Sequence, residues 1–198
     1  MSRTFFSFLL ALTLAPAALA QSSPATARAP TSATAPAACP PLLQHTVPRL
    51  QDEKPQSLCQ YAGKVLLVVN TASFCGFTPQ YKSLEALHSR LQGRGFVVLG
   101  FPSNDFEHEK GSNKDIADFC ESTFGVKFPM FVKTTVKGAN AHPFYRELAA
   151  QAEGKAPAWN FNKYLVGRDG KVVAHYPSTV SPESPVLLRE IEKQLLAK

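Results

Sequence analysis

The segment Phe74-Cys75-Gly76-Phe77-Thr78 carries a single thiol between an aliphatic run and a helix-start signal. In an open parallel sheet, reactive groups sit beyond the carboxyl ends of the strands. The start of the following helix offers free N–H groups and partial positive charge, and both favour a thiolate over a thiol. A thiolate attacks a peroxide oxygen to give a sulfenic acid, which a second thiol then resolves. There is no C-x-x-C at this position, so thioredoxin-type dithiol exchange is disfavoured. A buried structural cysteine or half of a structural disulfide are the competing readings of Cys75. The five histidines, His45, His88, His108, His142 and His175, are scattered without metal-ligand spacing. No Gly-rich phosphate loop appears, and no cofactor is expected.

The elements around Cys75 follow from hydrophobic periodicity. Residues 64–70 form a continuous aliphatic run, as expected of a strand buried on both faces. Thr78-Pro79 reads as an N-cap and first helical residue. Leu84, Leu87 and Leu91 then recur at helical spacing until Gly93. Residues 96–101 form a second strand, which completes a right-handed βαβ unit with parallel strands. Ser112 and Asp115 form a capping box before a helix that ends at Gly125. A short strand at 130–132 and a helix from His142-Pro143 to 150 follow. Strands at 164–166 and 172–176 flank a Gly167-Arg168-Asp169-Gly170 hairpin turn. Ser181 to Glu183 introduce a last amphipathic helix through Val186, Leu187, Ile191 and Leu195. This order predicts an α/β, thioredoxin-like fold with an insertion, a central mixed sheet flanked by helices.

Three stretches together resemble the glutathione peroxidase family. They are Asn70-Thr71-Ala72-Ser73-Phe74-Cys75-Gly76-Phe77-Thr78, Phe101-Pro102-Ser103-Asn104-Asp105-Phe106 and Trp159-Asn160-Phe161-Asn162-Lys163-Tyr164-Leu165-Val166. The likeness runs from about residue 58 to the C-terminus. It implies thiol-dependent reduction of hydrogen peroxide and organic hydroperoxides, and so an antioxidant role. It also implies a catalytic set built on Cys75, Trp159 and Asn160. The indole and amide N–H groups of the last two can hydrogen-bond a thiolate. Where the family has Asn-Gln, this chain has Asn104-Asp105. An ionised Asp cannot donate a hydrogen bond. Asp105 is therefore held protonated, acts through water or at a later step, or yields its role to another residue. Residues 107–111 are one residue shorter than the family pattern, and Ser103 stands where a Cys is common. Cys120, in Phe119-Cys120-Glu121, resembles the resolving position of thioredoxin-dependent members. The resemblance thus implies a Cys75–Cys120 disulfide intermediate, re-reduced by a thioredoxin-like protein or glutathione.

The chain's 198 residues suit one domain of ordinary size. Half of the formal +6 charge comes from Arg3, Arg28 and Arg49, in a first fifty residues that hold no acid. The remainder is nearly balanced, so a nucleic-acid partner is not indicated. Residues 1–20 read as a secretory signal, with Arg3, an apolar run over 5–14 and the cleavage signature Ala18-Leu19-Ala20. That run is too short to span a bilayer, so no stable membrane insertion is expected after cleavage. Residues 21–38 are almost wholly Ala, Pro, Ser and Thr and read as a linker. The peroxidase domain then covers 39–198, exported most simply to a bacterial periplasm. An oxidising compartment permits a structural disulfide between Cys39 and Cys59. Two other functions remain open: a periplasmic thiol–disulfide oxidoreductase, and a non-enzymatic metallochaperone or binding module. The lone Cys75 disfavours the first, and the absence of a Cys/His ligand set disfavours the second.

Overall fold

The computed structural model describes residues 38–197, so the signal and most of the linker expected over 1–38 lie outside the described residues. Its strands are β1 (Thr46–Pro48), β2 (Pro55–Ser57), β3 (Val65–Thr71), β4 (Phe96–Pro102), β5 (Lys163–Val166) and β6 (Val172–Tyr176). Its helices are α1 (Gln80–Leu91), α2 (Asn113–Phe124), α3 (Pro143–Gln151) and α4 (Pro185–Leu196). The main sheet has the order β4-β3-β5-β6, with β3 and β4 parallel and the other pairs antiparallel. This is the mixed thioredoxin-like sheet expected from the element order.

Every residue of β3 is buried, because successive side chains serve opposite faces of the sheet. Val65, Leu67 and Val69 pack with Leu84, Leu87 and Leu91 of α1, Ile116 and Cys120 of α2, and Leu187, Ile191 and Leu195 of α4. Leu66 and Val68 pack with Phe144, Tyr145 and Leu148 of α3 and with Leu42, Leu43 and Leu58 of the N-terminal segment. Truncating any one of these leucines to Ala would cost about 2–5 kcal/mol.

Several local expectations need adjustment. Thr78 does not cap α1: its hydroxyl accepts the Cys75 N–H and donates to the Ala72 carbonyl, both at 2.9 Å. The helix starts at Gln80 behind Pro79. Its end runs through a 3-10 turn to Gly95, whose φ of 87° is left-handed, so the stop lies two residues beyond Gly93. Residues 130–132 form isolated bridges rather than a strand: Met130 pairs with Gly100, and Phe131 with Arg49. Ser184, not Ser181, precedes the last helix, and Val186 is exposed. The β1–β2 hairpin gave no sequence signal, because its three-residue strands each contain a proline. The Ser112–Asp115 capping box is formed as expected.

Cys39 and Cys59 are joined by a disulfide with Cα atoms 5.1 Å apart. The bridge ties the N-terminal segment to the chain just ahead of β3. On loop-closure grounds it stabilises the fold by ~3 kcal/mol.

Candidate active site

Cys75 lies in the turn that leaves the carboxyl end of β3, buried against Ala72, Tyr81 and Phe161 in the core on the α1 side. Thr78 holds the turn closed, since its own N–H also bonds the Cys75 carbonyl at 2.9 Å. The Phe77 backbone N–H points to the Cys75 sulfur at 3.5 Å, a donor supplied by the turn itself. Gly76 has open space around its Cα, so no side chain covers this approach.

The Trp159–Asn162 loop meets the same end of β3. The side chain of Asn70 clamps it: Nδ2 donates to the Trp159 carbonyl at 2.9 Å and Oδ1 accepts the Asn162 N–H at 3.1 Å. The Phe161 N–H donates to the Asn70 carbonyl at 2.6 Å. Phe161 adopts a left-handed φ of 61°, which costs a bulky residue of order 1–3 kcal/mol. Its ring is fully buried, edge-on to Tyr81 at 5.4 Å, and that packing holds the turn in place. The strained turn directs Asn160 inward. Its amide is completely buried, and neither Nδ2 nor Oδ1 has a hydrogen-bond partner. An unpaired buried amide costs about 1–3 kcal/mol, which a bound ligand or an anionic sulfur could recover. Trp159 is 41% exposed. Its ring rests on Phe106 and His108, with centroids 5.4 and 5.2 Å away.

His108 also joins the two loops, because its carbonyl accepts the Phe74 N–H at 3.1 Å. The next residue, Glu109, is completely buried. Its Oε2 accepts the Ser73 hydroxyl at 3.0 Å, while Oε1 is buried without a partner. Burial pushes the carboxyl's pKa up, and the Ser73 hydrogen bonds and the Lys133 charge offset this only in part. Sequence reasoning passed over Glu109. The visible mark was the one-residue shortening of 107–111, which alters the turn that carries it.

Asp105 is placed elsewhere. Its Oδ2 accepts the backbone N–H groups of Val136 and Lys137 at 2.6 and 3.1 Å, fastening the loop before α3. Among the described residues, no hydrogen bond joins it to Cys75, Trp159 or Asn160. Asp105 is thus a loop-fastening carboxylate here, with two backbone N–H donors on Oδ2. These bonds lend no support to the catalytic role expected of it.

Cys120 lies on α2 as a free, buried thiol in the same core as Cys75. Burial pushes it up to about 11, and the Tyr81 hydroxyl offsets this in part. Around the sulfur the surface is aromatic. Phe74 is 68% exposed and stacks on Phe119 at 6.2 Å, which sequence reasoning did not anticipate.

Residues 43–149 match the family model described as glutathione peroxidase. The chain is 48% identical over 154 residues to the hydroperoxy fatty acid reductase gpx1 of Synechocystis, covering 73% of this chain and 90% of that protein. It is 43% identical over 177 residues to the thioredoxin/glutathione peroxidase BtuE of Escherichia coli, covering 77% of this chain and 96% of that one. The crystal structure of T. cruzi GPX1 superposes with a TM-score of 0.62 at 32% identity, over 78% of this chain and 95% of that chain. A thiol:disulfide interchange protein of Chlorobium tepidum matches at 18% identity with a TM-score of 0.59, which shows the shared fold alone.

Proposed function

The chain belongs to the glutathione peroxidase family, and from that premise we propose that Cys75 is the peroxidatic residue, flanked by Trp159 and Asn160. The enzyme is a thiol-dependent hydroperoxide reductase. The Cys75 thiolate attacks the distal peroxide oxygen and the O–O bond breaks. The sulfur becomes a sulfenic acid, and the departing oxygen takes up a proton to leave as water or an alcohol. The observation that carries the site assignment is the unpartnered, fully buried Asn160 amide, held by a strained turn at the strand end that carries the sulfur. Such a group is oriented for a charge that develops during reaction. The exposed Phe74 and Trp159 rings give organic hydroperoxides an apolar rim.

In the second half of the cycle, the Cys120 thiol displaces hydroxide from the Cys75 sulfenic acid. A Cys75–Cys120 disulfide and water result, and a thioredoxin-like protein or glutathione re-reduces the disulfide. Both thiols share one packed core, which favours this route. The name of the E. coli relative, which joins thioredoxin to glutathione peroxidase, favours such a reductant. Residues 1–20 act as an export signal and 21–38 as a tether, and the Cys39–Cys59 bridge suits an oxidising compartment such as the periplasm. Fractionation of expressing cells should find the mature chain outside the cytoplasm; full-length chain in the cytosol would refute export.

Peroxide consumption with a dithiol donor tests the central assignment. Cys75→Ser should lose turnover to background, and unchanged activity in that variant would defeat it.

A further inference from the structure

The recorded bonds of the Asp105 carboxylate go to the loop before α3, so the fourth polar place that the sequence pattern calls for is open to another side chain. Glu109 packs against the residues that lead into the sulfur. It has no exposed surface, and its chain neighbour His108 is hydrogen-bonded through its carbonyl to Phe74, the residue before the sulfur. Its Oε2 is anchored to Ser73, two residues before the sulfur. Its peptide N–H is fixed to the Asn104 side chain at 3.0 Å, so the turn holds it rigidly. Its remaining oxygen has no partner. A small cavity is lined by Ser73, Phe74, Glu109, Ile116 and Phe119, so space exists beside the carboxyl. A buried carboxylate with an empty lone-pair set would be costly, whereas a neutral acid with one free O–H is a ready donor.

We propose that Glu109 is the fourth polar residue of the peroxide site, held as a neutral carboxylic acid whose free side hydrogen-bonds the peroxide as Cys75 attacks. This inference rests on the reading of Cys75 as the peroxidatic residue. Glu109 keeps its proton through the step. It stabilises charge on the departing oxygen, which takes its proton from solvent, and Asn160 offers a second unpartnered donor. Ionisation of Glu109 would remove the donor and place a negative charge beside the sulfur, so oxidation should slow as the pH rises through that ionisation. The titratable groups packed around it are Tyr81 on α1, Asp115 and Cys120 on α2 and Lys133 on the segment after α2, with His108 and Lys110 on its own turn. Burial of the carboxyl acts in the same direction as its neutrality.

The experiment follows single-turnover oxidation of the reduced full chain by hydrogen peroxide, read by fluorescence of the one tryptophan, Trp159, over roughly pH 5 to 9. Glu109→Gln keeps a donor that cannot ionise. It should react within about threefold of wild type at low pH and should lack wild type's decline at high pH. Glu109→Ala should fall by roughly 10²-fold at low pH, where wild-type Glu109 is neutral, and should converge on wild type at high pH, as expected when a preorganised donor is removed. Glu107→Gln, at an exposed site, should follow wild type throughout. A high-pH decline in Glu109→Gln identical to wild type would overturn the proposal, as would a folded Glu109→Ala that oxidises at the wild-type rate at low pH. If the Ala variant does not fold, the Gln pH profile decides. Loss of this inference with Cys75-dependent oxidation intact leaves the peroxidatic reading standing. Oxidation that persists in Cys75→Ser removes both.

Discussion

Two cysteine pairs in this chain meet opposite conditions. Cys39 and Cys59 are joined, and their bridge closes a segment whose leucines are packed on the α3 side of the sheet. Cys75 and Cys120 are free and buried on the other side. Buried polar atoms without partners include Asn160 Nδ2 and Oδ1, Glu109 Oε1, Tyr81 Oη and Thr71 Oγ1. A stable fold pairs nearly all such atoms. Such atoms also occur on the α3 side, at Tyr145 Oη, but there the cysteine pair is already joined, whereas Cys75 and Cys120 keep free thiols beside theirs.

That contrast can be broken from either side. Cys120→Ser should leave the first oxidation of Cys75 unchanged and lower steady-state turnover with a thioredoxin-like donor by roughly 10²-fold, ~2.7 kcal/mol in rate terms. Turnover equal to wild type would remove Cys120 from the cycle. The Cys39→Ser, Cys59→Ser double variant should do the reverse. It should lose ~3 kcal/mol of stability, which for a domain of this size is about 6–12 °C in Tm, and keep its activity in the cold. A loss of activity without a fall in Tm would show that the two pairs are not independent.

The smallest effect concerns Lys163, fully buried with its Nζ donating to the Phe161 carbonyl at 2.7 Å. Burial pulls it down to about 7. Between that value and its ordinary one, the unfolded chain binds a proton that the folded chain has released. Stability from this group therefore rises with pH above about 7 and is lowest below it. Lys163→Met should flatten that rise, by at most ~1.4 kcal/mol per pH unit, in denaturant titrations made at several pH values. An unchanged slope would show that the ammonium is solvated in the folded state.

Much of the fold was legible because burial on both faces leaves a strong mark. The aliphatic run of β3, the leucine spacing of α1 and the Ser112–Asp115 box each state their structure locally. Thr78 was misread because a hydroxyl before a proline fits a cap equally well, and only the tertiary turn shows that it serves the Cys75 N–H instead. The β1–β2 hairpin was hidden by its prolines and its three-residue strands. At the site, Cys75, Trp159 and Asn160 stood out through their motifs. Glu109 was passed over because sequence shows residue type but not which carboxylate a turn buries. Two backbone donors of the 136–137 loop claim Asp105, and a shortened turn carries Glu109 inward.

The contrast between the cysteine pairs is tested most directly by peptide mapping of the protein after one equivalent of hydrogen peroxide, without reductant. A Cys75–Cys120 disulfide alongside an unaltered Cys39–Cys59 disulfide is the predicted result. Cys75 sulfinic acid with Cys120 still a free thiol would contradict it.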